Sequence, residues 1–103
     1  MRGDIHRLRN PRGARGSEQS GSRYAVVVQS DLLPLSTWLV APTSMSARPA
    51  SFRPEITLAG KTTRVLAEQI AAVDPTRLGD QVGHATLDEM KRVDAALRIV
   101  LEL

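Results

Sequence analysis

The 103-residue sequence contains no cysteine and only two histidines, His6 and His84. The absence of cysteine excludes disulfides, thiolate zinc sites and cysteine nucleophiles, and it is typical of proteins from a reducing cytoplasm. Two imidazoles are too few for a histidine metal site. The acidic residues are scattered, and the adjacent pair Asp88 and Glu89 fits the start of a helix. We therefore expect no metal and no cofactor.

Aromatic residues and long apolar runs are also scarce. Tyr24, Trp38 and Phe52 are the only aromatics, which argues against modules that stack successive bases on aromatic side chains. No apolar run approaches the roughly 18–20 residues that span a bilayer, and no apolar signal segment follows Met1. The length suits one small domain over residues 1–103. We expect a soluble, cytoplasmic, single-domain protein.

Positive charge is concentrated at one end of the sequence. Residues 1–23 contain six arginines and two acids, a net charge of +4, whereas the other 80 residues carry a net charge of −1. Twelve of the 14 basic residues are arginine, the residue suited to bidentate recognition of phosphate or carboxylate. On charge alone, a phosphate-rich or acidic partner and a solvated arm are equally good interpretations.

Short strands dominate the pattern along the chain. Residues 10–23 and 43–54 are rich in glycine, serine or proline and read as loops. Asp74-Pro75 predicts a helical turn that ends at Arg77-Leu78-Gly79. The strand candidates are segments in which apolar and polar residues alternate or in which all residues are apolar, and each is too short for a helix. They are Asp4–Arg9, Tyr24–Val28, Trp38–Val40, Glu55–Leu58, Arg64–Ala67, Ile70–Val73 and Gln81–His84.

One helix is predicted from Leu87 to about Leu101. Thr86 followed by Glu89 is a capping-box pattern at its start. Apolar residues at three- and four-residue spacing predict a single core-facing stripe: Leu87, Met90, Val93, Leu97, Val100 and Leu101. The whole pattern predicts a small α+β domain, a curled antiparallel sheet followed by a C-terminal helix.

Two polar segments border the apolar strands. Gly16–Gln19 precedes Arg23 at the start of one strand, and Pro42–Ser44 follows another. Metal-free RNA cleavage needs a base for the 2′-OH, an acid for the leaving 5′-oxygen and positive charge at the phosphorus. Arginine supplies the charge, and Glu18 is a candidate base. From spacing alone, a rim of ordinary solvated residues explains these segments better than a catalytic site does.

At these residues the sequence resembles the MazF/PemK family of toxin endoribonucleases. Four segments in the family's order carry the resemblance over nearly the full length: Arg2-Gly3-Asp4-Ile5-His6, Gly16-Ser17-Glu18-Gln19-Ser20-Gly21-Ser22-Arg23-Tyr24-Ala25-Val26-Val27-Val28, Ala41-Pro42-Thr43-Ser44, and Thr63 to Ile70 with its Glu68-Gln69-Ile70 ending. Asp74, Arg77-Leu78, Gly83 and the closing helix also fit.

The resemblance implies an SH3-like barrel with a C-terminal helix, of the MazF and CcdB type, and a homodimer. It implies sequence-specific, metal-independent cleavage of single-stranded RNA to 2′,3′-cyclic phosphate and 5′-OH ends, which inhibits translation and growth. It also implies a cognate MazE-like antitoxin whose acidic C-terminal tail occupies the RNA groove.

The family's catalytic arginine and threonine correspond to Arg23 and Thr43. Arg23 is expected to stabilise the phosphorane, and Thr43 to hold a phosphate oxygen or the 2′-OH. The residues expected to bind RNA lie in the polar segments and loops: Arg12, Arg15, Ser17, Glu18, Gln19, Ser44, Arg48 and Gln69. Arg53 is expected to add a phosphate contact.

Three features depart from the family pattern. Tyr24 stands where a proline normally follows the arginine, and this loosens the backbone restriction on Arg23. His6 replaces an aromatic residue, and we interpret it as packing rather than catalytic. Residues 31–37 form a shorter segment than the family pattern predicts.

Two other functions remain open on the sequence. A gyrase-binding toxin of the CcdB type shares the fold, but such proteins end in Trp-Gly-Ile, whereas this chain ends in Val100-Leu101-Glu102-Leu103. A degenerate member that binds antitoxin or RNA without cutting would be consistent with Tyr24.

Overall fold

Seven short strands and one α-helix make up the architecture of the residues that the structure describes. A computed structural model describes residues 1–9 and 23–103 of the chain. The predicted sites Arg12, Arg15, Ser17, Glu18 and Gln19 lie outside these residues. The elements, in chain order, are β1 (Asp4–Leu8), β2 (Arg23–Val27), β3 (Trp38–Ser44), β4 (Glu55–Leu58), β5 (Lys61–Val65), β6 (Ala71–Val73), β7 (Leu78–His84) and α1 (Leu87–Leu101).

All strand pairs are antiparallel, and the sheet has the order β4-β5-β3-β2-β1-β7. β3 pairs with β2 along one side, while its other side pairs first with β6 and then, at Thr43 and Ser44, with β5. Because β3 changes partner along its length, the sheet curls into a half-barrel. This confirms the predicted curled antiparallel sheet with a C-terminal helix.

Two apolar clusters stabilise the sheet. The larger contains Ile5, Val26, Val65, Met90 and Val93, and so joins the sheet to α1. The smaller is centred on buried Val27 and Val40, on neighbouring strands. β2 supplies both clusters because successive residues of a strand point to opposite faces.

The turn between β4 and β5 has both central residues in the left-handed region. Ala59 has φ of 52° and Gly60 has φ of 77°. This conformation matches the twist of a two-residue hairpin, although alanine occupies it less readily than asparagine or glycine. The tight turn brings Leu58 and Lys61 together as register partners.

The predicted helix is confirmed from Leu87 to Leu101, with its capping box. Thr86 Oγ1 accepts from the Glu89 amide at 3.0 Å, and Glu89 Oε1 accepts from the Thr86 amide at 2.8 Å. The predicted apolar stripe is wrong at its ends, since Leu87 and Leu101 are 75% and 49% exposed. The buried face instead consists of Glu89, Met90, Val93 and Ala96.

Several strand limits also differ from the prediction. β3 continues to Ser44, so the loop predicted from residue 43 begins later. The strand predicted at Arg64–Ala67 lies at Lys61–Val65, because Ala67–Gln69 form a 3-10 turn. β7 begins at Leu78 rather than Gln81. The short helical turn predicted after Asp74 is confirmed at Pro75–Arg77.

Asp4 ties β1 to β7. Its Oδ1 lies 2.7 Å from His84 Nδ1 and accepts from Gln81 Nε2 at 3.1 Å. Burial works to raise the pKa of Asp4, but hydrogen bonds from His84 and the Met1 amino group outweigh it and place this pKa below the ordinary 3.8. This contact gives His84 a structural role between β1 and β7.

The lowered pKa of Asp4 predicts acid sensitivity. A carboxyl group whose pKa is lowered by folding stabilises the protein at any pH above its pKa in the unfolded chain. That stabilisation is lost as the pH falls through its pKa in the folded protein. Asp4→Asn is therefore expected to destabilise the protein at neutral pH, with the difference from wild type shrinking as the pH falls below about 4. Urea unfolding of both proteins over this range measures it, and a difference that stays constant with pH would contradict the assignment.

Candidate active site

The start of β2 and the end of β3 meet in one open pocket of about 590 Å³. β2 contributes Arg23 and Tyr24 to its wall, and β3 contributes Thr43 and Ser44. The predicted catalytic pair therefore lies in one pocket, together with Ser44. Rigid paired strands hold these side chains more precisely than a free loop would.

Arg23 is partly buried, and its Nε is enclosed without a hydrogen-bond partner among the described residues. Buried donors are nearly always paired, so an unpaired guanidinium nitrogen indicates a group prepared for a ligand. Lys61 is the second cation of the lining, and no carboxylate from the described part of the chain lines the pocket. The pocket is thus positively charged and suited to an anion.

Thr43 is 4% exposed, and its hydroxyl donates to the Tyr24 carbonyl at 3.3 Å. This distance is long for an O–H···O bond. Because a hydroxyl rotates readily, the same group can donate instead to an anion in the pocket. Thr43 thus links the two strands and offers a hydroxyl beside Arg23.

Ser44 is also buried, and its hydroxyl forms hydrogen bonds with Ser46. Its Oγ lies 3.3 Å from Ser46 Oγ and accepts from the Ser46 amide at 3.3 Å. Both serines line the pocket. The end of β3 and the turn after it therefore add two further hydroxyls to the pocket that contains Arg23.

Other predicted residues lie elsewhere. Arg48 and Gln69 are exposed and do not line the pocket. Arg53 forms an ion pair with Glu68, with Nε and Nη2 both donating to Oε2 at 2.9 and 2.5 Å. His6 lies outside the lining, with Nδ1 3.0 Å from the Gly79 carbonyl oxygen, in agreement with a packing role.

The far wall of the pocket was not predicted from the sequence. It is formed by Met45 and by the β4–β5 hairpin residues Leu58, Ala59, Lys61 and Thr63. The β-branched pair Thr62-Thr63 after Ala59-Gly60 is a strand signal that indicates a hairpin here. The predicted strand began at Arg64 and so left the hairpin out.

The described residues contain no group of three or more histidine, cysteine or acidic side chains placed to hold a metal ion. Within the same residues, no helix is both long and apolar enough to cross a bilayer.

The sequence profile of the PemK-like, MazF-like toxins of type II toxin–antitoxin systems matches residues 1–101. The chain belongs to this family. A toxin candidate of Mycobacterium tuberculosis, Rv3098A, is 40% identical over 104 residues, covering all of this chain and 98% of that protein. Endoribonuclease EndoA of Bacillus subtilis is 32% identical over 96 residues, covering 85% of this chain and 83% of that one.

Solved structures match the fold of this PemK/MazF-like toxin. An endoribonuclease in complex with its cognate antitoxin, from a mycobacterial species, superposes with a TM-score of 0.82 at 20% identity, covering all of this chain and 95% of that one. MazF from Deinococcus radiodurans gives 0.80 at 23% identity, covering 99% and 96%. At these identities the structures establish the fold, and the family rests on the sequence matches.

Proposed function

We propose that this PemK/MazF-like toxin is an endoribonuclease that cleaves single-stranded RNA at the Arg23–Thr43 pocket. The observation that carries the proposal concerns the described residues. Among them, the enclosed Nε of Arg23 has no partner, the Thr43 hydroxyl lies in the same pocket, and the charged lining residues are both cations. The relation to EndoA, itself named an endoribonuclease, supports the choice of RNA as substrate.

The proposed reaction is an internal transfer. The 2′-oxygen attacks the neighbouring phosphorus, the bond from phosphorus to the 5′-oxygen breaks, and a 2′,3′-cyclic phosphate and a 5′-OH result. A base takes the proton of the 2′-OH, and the leaving 5′-oxygen gains a proton. Glu18 is our candidate base, and it lies outside the described residues.

Arg23 and Thr43 act on the phosphate in this scheme. Negative charge builds on the non-bridging oxygens as five bonds form around phosphorus. A fixed guanidinium therefore stabilises the transition state more than it stabilises the ground state of the bound RNA. Thr43 donates to one of these oxygens or holds the 2′-OH. Because these two groups supply the electrostatic stabilisation, we propose that the reaction needs no metal ion or other cofactor.

We further propose the partners that the family membership suggests. These are a second copy of this chain, short sequences in single-stranded cytoplasmic RNA, and a MazE-like antitoxin with an acidic tail. An antitoxin complex among the structural neighbours supports the last of these. A tail of carboxylates would be attracted to the pocket by the same cations that attract RNA. Cleavage of cellular RNA would inhibit translation and growth, and the antitoxin would prevent it.

Incubation of the purified protein with a long single-stranded RNA tests the activity. We expect discrete fragments, produced equally in EDTA and in magnesium. Intact RNA in both conditions, together with inhibited DNA supercoiling, would contradict the proposal and favour a gyrase-binding toxin.

Thr43→Val tests the hydroxyl at constant side-chain shape. We expect kcat to fall about 10²-fold, since a donor to the developing charge is lost. Thr43→Ser keeps the hydroxyl and is expected to retain most of the activity. Fragment formation over time measures both, with thermal unfolding as a control for folding. Equal rates for the valine variant and wild type would remove Thr43 from the mechanism.

A further inference from the structure

The pocket is larger than one phosphate group requires. Its volume of about 590 Å³ lies within the range of about 300–1,000 Å³ that is usual for small-molecule sites. Beyond Arg23 and Thr43, the wall is apolar at Tyr24, Met45 and Leu58. This region has room for a flat organic group next to the phosphate position.

Thr63 supplies a polar group in this region. The residue is 5% exposed, and its Oγ1 has no hydrogen-bond partner among the described residues. Buried hydroxyls nearly always have a partner, so an unpaired one in a pocket wall indicates a ligand with a hydrogen-bonding edge. The hydroxyl both donates and accepts.

Tyr24 supplies an aromatic ring to the pocket, and a residue outside the pocket lining packs against this ring. The Arg7 guanidinium lies over the ring, 5.6 Å from its centroid, which is a favourable cation–π distance. Arg7 and Tyr24 are register partners on β1 and β2. Recognition of unpaired RNA commonly uses aromatic side chains that stack on bases.

We propose that Tyr24, Leu58 and Thr63 form a pocket for one nucleobase of the RNA, adjacent to the phosphate bound by Arg23. The inference rests on the proposed nuclease function and adds a subsite to it. The base lies against the Tyr24 ring and Leu58, and its polar edge bonds Thr63 Oγ1. Exposed Lys61, in the same wall, binds the backbone of that nucleotide.

The shortage of aromatic residues fits this arrangement. Three aromatics in the chain do not support a series of stacked bases, but a single subsite needs only Tyr24. The site also departs from the family pattern, which has proline where Tyr24 stands.

Short RNAs with one cleavage site test the subsite. Each is made in three forms: unmodified, and with an abasic nucleotide on the 5′ or on the 3′ side of the scissile phosphate. For wild type we expect one abasic form to lower kcat/KM by about 5- to 150-fold, the range that corresponds to stacking of one base on an aromatic ring. Tyr24→Leu should discriminate between that form and the unmodified RNA much less than wild type does, because only the contacts of the base with Leu58 and Thr63 remain, whereas Tyr24→Phe, which keeps the ring, should discriminate as wild type does.

Thr63→Val tests the hydrogen bond at constant shape. It should alter the preference among the four bases at the sensitive position and leave cleavage of the abasic RNA unchanged. Wild type that cuts both abasic forms as fast as unmodified RNA would overturn the subsite while leaving the nuclease function intact. That result would favour an acidic protein segment as the occupant. Failure of wild type to cut any unmodified RNA would overturn the nuclease function itself.

Discussion

Replacing Arg23 with alanine is expected to lower kcat for RNA cleavage by about 10³-fold, the largest effect of any single substitution in the pocket. The guanidinium lines the same pocket as Thr43, and its Nε is enclosed without a hydrogen-bond partner in the part of the chain that the structure describes. The guanidinium therefore pairs its charge and donates its hydrogen bonds only when a phosphate is bound in the pocket. Single-turnover cleavage of a short RNA measures the loss.

The same substitution is expected to leave the fold at least as stable as wild type. A buried donor without a partner costs about 1–3 kcal/mol, and removal of Arg23 Nε breaks no hydrogen bond to the residues that the structure describes. The melting temperature of Arg23→Ala should not fall. A marked fall would mean that lost activity reflects unfolding rather than chemistry.

Two matched variants separate charge from geometry. Arg23→Lys keeps the charge but loses the planar fork, and we expect a loss of about tenfold to a hundredfold. Arg98→Ala removes an equal charge from an exposed position on α1 and should retain full activity. If Arg98→Ala is as impaired as Arg23→Ala, then the net positive charge of the protein, rather than the position of Arg23 in the pocket, explains the loss of activity.

Glu89→Ala is expected to lower the free energy of unfolding by about 2–4 kcal/mol. Glu89 is 7% exposed, and its two carboxylate oxygens accept from two separate elements. Oε1 closes the capping box with the Thr86 amide at 2.8 Å, and Oε2 accepts from the Thr57 amide of β4 at 2.7 Å. Its removal leaves both backbone donors without these bonds.

Two controls divide this effect. Thr86→Ala removes only the other half of the capping box and should cost about 1 kcal/mol. Glu89→Gln keeps one acceptor oxygen and should fall between the two. Urea unfolding measures the stability of all three variants. If Glu89→Ala proves as stable as Thr86→Ala, the hydrogen bond from β4 to Glu89 contributes nothing to stability.

The helix and its start were predictable because they depend on local signals. The capping box and the spacing of Met90 and Val93 are properties of neighbouring residues, and both are confirmed. The role of Glu89 in holding β4 was not predictable, since its second partner, Thr57, lies 32 residues away in the sequence. Leu87 fits the apolar period, but it lies in the first turn of the helix and is exposed.

The near wall of the pocket was predictable from motifs, and the far wall was not. Arg23 and Thr43 correspond to family motifs, and the pairing of β2 with β3 brings them together. Lys61 and Thr63 reach the pocket only because β3 changes partner from β6 to β5 near Thr43. Such a change of partner depends on the curl of the whole sheet, which no local pattern encodes.

We propose that Arg23 and Thr43 cleave RNA by internal transfer. The chemistry of the new ends tests it most directly, using RNA cut by the purified protein in EDTA. We predict 5′-OH ends that accept phosphate from a kinase without prior dephosphorylation, and 2′,3′-cyclic phosphates on the matching fragments. Fragments with 5′-phosphate and 3′-OH ends, or cleavage that EDTA abolishes, would contradict the account.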